Sequence, residues 1–213
     1  MVYPLFLFLR NSLGLIVNPY VTFRELSIKT APSRQILIIH FLVFLYFFLS
    51  SIVKIGLRNP FLLTLKFNSL YLSAYLGFVM MIALFFLAFR LFRSRDFSVN
   101  NMIVLWSYTL WPTLLWFFFT SFMYLLLPPP RSFTYPGKIY SLIYLAVSLT
   151  LLFWKLILYY LTLRFGLRFD LYRITVASLI IIPAVAAFSL FMYRISIFKI
   201  PFAVSVPSCF GVA

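Results

Sequence analysis

Protein chemistry needs acids, bases, nucleophiles or metal ligands within reach of one another, and this sequence is short of all of them. Its three carboxylates are Glu25, Asp96 and Asp170, its one histidine is His40 and its one cysteine is Cys209. A lone cysteine excludes an internal disulfide and a cysteine metal cluster. No H-E-x-x-H, G-x-S-x-G or phosphate-binding G-x-x-x-x-G-K can be read anywhere. Each acid stands close to an arginine: Glu25 beside Arg24, Asp96 beside Arg95, Asp170 two residues after Arg168. Local ion pairing accounts for all three without a catalytic role. The serines and threonines have no base beside them. The expectation is a protein without catalysis, cofactor or metal.

One ionisable residue is out of place. Lys155 stands in Leu152-Phe153-Trp154-Lys155-Leu156, inside a long apolar run. An ammonium at mid-membrane costs about 2.5–3.5 kcal/mol on insertion scales, so it faces protein or water. Either its stem snorkels toward the surface, or the charge contacts a partner or a lipid. No acid in the other apolar runs can neutralise it. His40, near the start of another such run, is expected to make an interfacial hydrogen bond.

The runs themselves set the fold class. Of 213 residues, 64% are hydrophobic and 10% charged, with a mean hydropathy of +1.07. A soluble domain has about 45–50% and about 25%, so a soluble domain, a coiled coil and a disordered chain are all excluded. Five stretches, 35–57, 69–92, 102–127, 139–163 and 174–198, meet the roughly 20 residues a helix needs to cross a bilayer. Only helices and closed barrels satisfy their backbone in lipid, and these runs lack a period of two. The expectation is an all-α membrane protein, a bundle of about five transmembrane helices (35–198) with an N-terminal interfacial segment (1–34) and a short C-terminal tail (199–213). Arg58-Asn59-Pro60, Arg93-Ser94-Arg95-Asp96, Pro128-Pro129-Pro130-Arg131, Tyr135-Pro136-Gly137-Lys138 and the stretch from Arg164 to Asp170 mark the breaks.

The net charge of +15 would suggest nucleic acid in a soluble chain. Here the bases fall singly or in twos and threes between apolar runs, which points instead to anionic lipid head groups. Arg10, Arg24, Lys29, Arg34, Arg90, Arg93, Arg95, Arg164, Arg168 and Arg173 lie on one side; Lys54, Arg58, Lys66, Arg131, Lys138, Arg194 and Lys199 lie on the other. The excess places the N-terminus in the cytoplasm and the C-terminus opposite. The first residues lack a basic n-region and an A-x-A-like site, so no signal peptide is expected. Leu5, Leu9, Leu13 and Ile16 share a helical face with Arg10 and Asn11 elsewhere, as in a helix lying on a membrane. Docking of this segment against a partner fits the same pattern.

Packing signals are few. Ser73 and Gly77 form a small-xxx-small pair. Pro183, with Ala177, Ala184, Ala186 and Ala187, suggests a kinked and closely packed fifth span, and Pro112 a bend in the third. At this point the order of features resembles the Yip1 family of five-span membrane proteins. The stretch Asn18-Pro19-Tyr20-Val21-Thr22-Phe23-Arg24-Glu25-Leu26 is similar to its pre-membrane segment, and Ser107-Tyr108-Thr109-Leu110-Trp111-Pro112 to its third-span start. Leu152-Phe153-Trp154, Leu158, Leu161 and Gly166-Leu167 resemble its fourth span and exit.

The resemblance implies a non-catalytic bundle with a cytosolic N-terminus that works by binding other membrane proteins. Eukaryotic relatives act in vesicle trafficking and bind small GTPases, and their signature D-L-Y-G-P belongs near the first span. Here Asp170-Leu171-Tyr172 follows the fourth span without Gly-Pro, which argues against carrying GTPase binding over and places the chain nearer the prokaryotic branch. Candidate partner or lipid contacts are Lys155, Arg24, Arg93, Arg95, Arg164 and Arg168. Two other classes compete: an accessory subunit of a larger respiratory or transport complex, and a small transporter or channel. The latter requires a polar pathway, for which the spans supply only Lys155, His40, Lys54 and scattered hydroxyls.

Overall fold

The computed structural model describes residues 2–28, 34–55, 60–92, 98–126 and 135–195. Arg93, Arg95, Cys209 and the tail 199–213 lie outside the described residues. Within them the chain is helical throughout: α1 (Val2–Val17), α2 (Pro19–Ile28), α3 (Arg34–Ile55), α4 (Pro60–Phe92), α5 (Val99–Tyr108), α6 (Leu110–Leu126), α7 (Tyr135–Leu161), a π-turn (Thr162–Gly166) and α8 (Leu171–Arg194). Five segments are long and apolar enough to cross a membrane: Gln35–Ile52, Phe67–Phe92, Val99–Met123, Gly137–Gly166 and Leu171–Arg194. The molecule is an all-α membrane bundle, as its composition requires.

The boundaries follow local chemistry. Pro60 opens α4, where its missing N–H costs nothing. Ser98 caps α5, its hydroxyl accepting from the Asn101 N–H at 3.5 Å. The third span breaks at Thr109, between α5 and α6. Pro112 is the cause: it has no N–H for the carbonyl of Tyr108, and its ring crowds that oxygen. The Thr109 hydroxyl and N–H turn back to Trp106 O at 2.7 and 3.0 Å instead. Other hydroxyls do likewise. Ser107, Thr120, Thr150, Thr162 and Thr175 each donate to a carbonyl four residues earlier on their own helix, the cheapest way to satisfy a hydroxyl away from water.

The core consists of linked apolar clusters. Phe85 of α4 meets Trp106 of α5 edge-on at 5.0 Å, among Met102, Leu163, Leu167 and Ala177. Gly166 is where the π-turn rests on α5; a Cβ there would make ordinary contact with Leu105 Cδ1 at 3.4 Å. On the other flank Tyr46 and Phe47 of α3 pack against Phe117 and Leu114 of α6. Gly77 accommodates an aromatic edge rather than a second backbone: its missing Cβ would lie 3.2 Å from Phe188 Cε1 of α8. Ser73 is buried one turn earlier. The buried side of α8 is formed by Ile174, Ala177, Ile181 and Met192. Pro183, Ala186 and Ala187 are exposed and Ala184 is half-buried, so the alanines beside the proline are not the packed surface of α8; its burial runs through Ile181 before the proline and Met192 after it.

The N-terminal segment forms a helical hairpin that docks on its own bundle. Leu5, Leu9, Leu13 and Ile16 do share a face, and that face points outward. The adjoining side carries Phe8, Asn11, Ser12 and Leu15, all buried. Phe8 stacks between Tyr108 and Trp111, with ring centroids 6.4 and 5.9 Å away. Phe23 and Leu26 of α2 join the same cluster. An outward apolar face is what lipid contact demands; the polar residues turn inward because that is where their partners are.

Candidate functional site

Two regions combine charge with accessibility. The first is a cavity of about 440 Å³ enclosed by α3, α4, the α5–α6 junction, α7 and α8. Its walls are chiefly apolar, from residues such as Phe47, Phe78, Met81, Leu114 and Phe188. Lys155 and His40 both line it, with Thr113 between helices. The Lys155 ammonium donates to Thr113 Oγ1 at 2.5 Å, across the contact of α7 with α6. His40 Nδ1 lies 2.9 Å from Ile36 O, one turn back on its own helix, and its ring meets Phe78 edge-on at 4.7 Å. The hydrogen bond of His40 is made within α3, and the ring also faces the cavity. Lys155 does not need to snorkel the length of α7, because the cavity receives it.

The cavity opens sideways. Leu152 and Leu156 of α7, Ile182 of α8 and Tyr75 of α4 line it and are also exposed. α8 packs mainly along α4 and the π-turn. Near the π-turn, the Tyr159 hydroxyl and Ser178 Oγ tie α7 to α8 at 3.1 Å. Beyond that tie the two helices border the opening.

The second region is the end of the bundle where α2 lies against the π-turn and α5. Tyr20 meets Phe165 edge-on at 5.1 Å, and Asn101 Nδ2 donates to Ser27 O at 3.2 Å. These two contacts bring Arg24 to the same end as Arg164 and Arg168, all three exposed. Arg168 has a φ of 52°, a left-handed conformation that costs a side-chain-bearing residue about 1–2 kcal/mol.

The polar groups that hold the N-terminal hairpin were not apparent from sequence. Asn11 Nδ2 donates to Tyr108 Oη and Gln35 Oε1, and Trp111 Nε1 donates to Ser12 Oγ at 2.7 Å. The signal was present: Asn11 and Ser12 are adjacent polar residues in an otherwise apolar helix. Nothing local shows which residues a hundred positions away will meet them. Among the described residues no group of three or more histidines, cysteines or acids is placed to hold a metal ion.

Against known families, curated proteins and solved structures, the chain finds no match. The class is defined by the molecule's own features: an all-helical, multi-pass membrane bundle with an apolar internal cavity and a basic end.

Proposed function

We propose that this chain is a non-catalytic membrane protein of the type the Yip1 resemblance implies, working by binding other membrane components through its basic end. The observation that carries this reading is the docking of α2, which puts Arg24 at the same end of the bundle as Arg164 and Arg168, all three exposed, with the acids Glu25 and Asp170 exposed beside them. Basic residues at a membrane surface attract anionic lipid head groups at about 1 kcal/mol each, and the same surface suits acidic segments of membrane proteins. With the N-terminus cytoplasmic, this end faces the leaflet and the compartment where such partners are found. The serine and threonine hydroxyls turned back onto their own helices support binding over transport, since they leave few polar groups to line a path.

The test is retention of partners and lipids through purification in mild detergent. Charge reversal at Arg24, Arg164 and Arg168, with Arg93 and Arg95 included in a second variant, should strip bound anionic lipid and associated protein. Raised salt should imitate the effect, because exposed charge is screened within about 10 Å at 0.1 M. An unchanged set of retained proteins and lipids would refute the reading. So would reconstituted protein that moved ions or solutes by itself.

A further inference from the structure

The cavity poses a question of charge that the basic end does not answer. Lys155 has three N–H donors, and among the described residues its one acceptor is the Thr113 hydroxyl. The described acids, Glu25 on α2 and Asp170 ahead of α8, are exposed near the basic end and reach no part of the cavity. Thr113 differs from the threonines around it. Thr109, Thr120 and Thr162 donate to their own helices, whereas Thr113 accepts from Lys155 and its own proton has no acceptor among the described residues. An ammonium and a hydroxyl proton therefore stand side by side at the wall of an apolar chamber. Two adjacent donors are what a carboxylate takes with its two oxygens.

We infer that the cavity is a binding site for a single-chain anionic amphiphile, a long-chain carboxylate that enters from the bilayer between α7 and α8 and pairs its head with Lys155 and Thr113. This goes beyond the role proposed for the basic end and does not depend on it. A volume of about 440 Å³ lies within the roughly 300–1,000 Å³ of small-molecule sites. A partner helix, about 10–12 Å across with its side chains, does not fit inside. An inorganic anion would satisfy the charge and leave the apolar walls of the chamber uncovered. An acyl chain satisfies both, and the exposed Leu152, Leu156 and Ile182 at the opening suit its passage.

The experiment uses the full chain in nanodiscs of neutral phosphatidylcholine, with 9,10-dibromostearate as probe and Trp106, which lines the cavity, as a fluorophore it can quench. The corresponding dibromo alcohol is the uncharged control. The wild type should bind the acid at least about tenfold more tightly than the alcohol. Lys155→Met should abolish that preference, Lys155→Arg should keep it, and Thr113→Val should reduce it several-fold. Circular dichroism and gel filtration confirm that each variant is folded. Equal binding of acid and alcohol by the wild type overturns the inference, as does a preference that survives Lys155→Met. If the preference is absent and an associated membrane protein is lost only from Lys155→Met, the ammonium serves an acidic partner side chain instead. That result also overturns it while leaving the role of the basic end untouched.

Discussion

The Tyr108 hydroxyl donates to Gln35 Oε1 at 2.6 Å, joining α5 to α3 across 73 positions of sequence. Asn11 Nδ2 reaches both groups, at 3.3 and 3.4 Å, so one side chain from each of three helices meets in a buried trio. Gln35 is the shared acceptor. Gln35→Leu leaves the Tyr108 hydroxyl without its acceptor and the Asn11 amide with only the Tyr108 oxygen, which costs about 1–3 kcal/mol for a buried polar group. Tyr108→Phe removes one donor and leaves Gln35 its bond from Asn11, so its cost should be nearer the roughly 0.6 kcal/mol typical of interhelical bonds in membranes. Thermal denaturation in detergent should therefore rank Gln35→Leu as the more damaging. The reverse order would show that the trio does not act as described.

Gly14 offers a test in which two effects have opposite sign. In an isolated helix Gly→Ala stabilises by about 1 kcal/mol. Here a Cβ at position 14 would lie 2.5 Å from Thr22 Oγ1 across the α1–α2 turn, and that hydroxyl is held by its bond to Asn18 O at 3.0 Å. Overpacking of this kind costs about 1–3 kcal/mol, so Gly14→Ala should destabilise. Adding Thr22→Ala removes the obstructing atom, and the double variant should recover most of the loss. A Gly14→Ala protein that melts above the wild type would place the hairpin elsewhere.

Arg168 separates stability from function. Its left-handed backbone is cheap only for glycine, so Arg168→Gly should raise the melting temperature or leave it unchanged, the relief of about 1–2 kcal/mol of strain being partly offset by about 0.4–1 kcal/mol of added unfolded-chain entropy. The same change removes a cation from the basic end and should weaken retention of anionic lipid. Lower stability in this variant would mean that the guanidinium's own contacts outweigh the backbone strain.

Orientation can be read from the single thiol. Five spans with a cytoplasmic N-terminus put Cys209 outside. A membrane-impermeant maleimide should label it in intact cells or right-side-out vesicles, with labelling in detergent as the control for access. Labelling that requires permeabilisation would invert the topology and place the basic end on the other face.

The sequence alone determined that the chain is a five-span helical bundle, because burial of apolar runs and satisfaction of the backbone in lipid are local requirements that 20 consecutive residues meet by themselves. The break in the third span was legible for the same reason: Pro112 acts on the carbonyl four residues before it. Lys155 was conspicuous as a charge in an apolar run, and the outward face of α1 could be read from the spacing of Leu5, Leu9, Leu13 and Ile16. Tertiary structure decided everything that depends on facing partners. It turned Asn11 and Ser12 inward to Tyr108, Gln35 and Trp111, set Gly77 under a ring of α8, and left Ala186 and Ala187 beside Pro183 exposed. It also placed Thr113 against Lys155 at the wall of a cavity. Apolar helices carry little information about which of their faces meet, since lipid and protein interior are equally apolar. The few polar groups choose the arrangement, and their partners lie tens of residues away, beyond the reach of any local pattern.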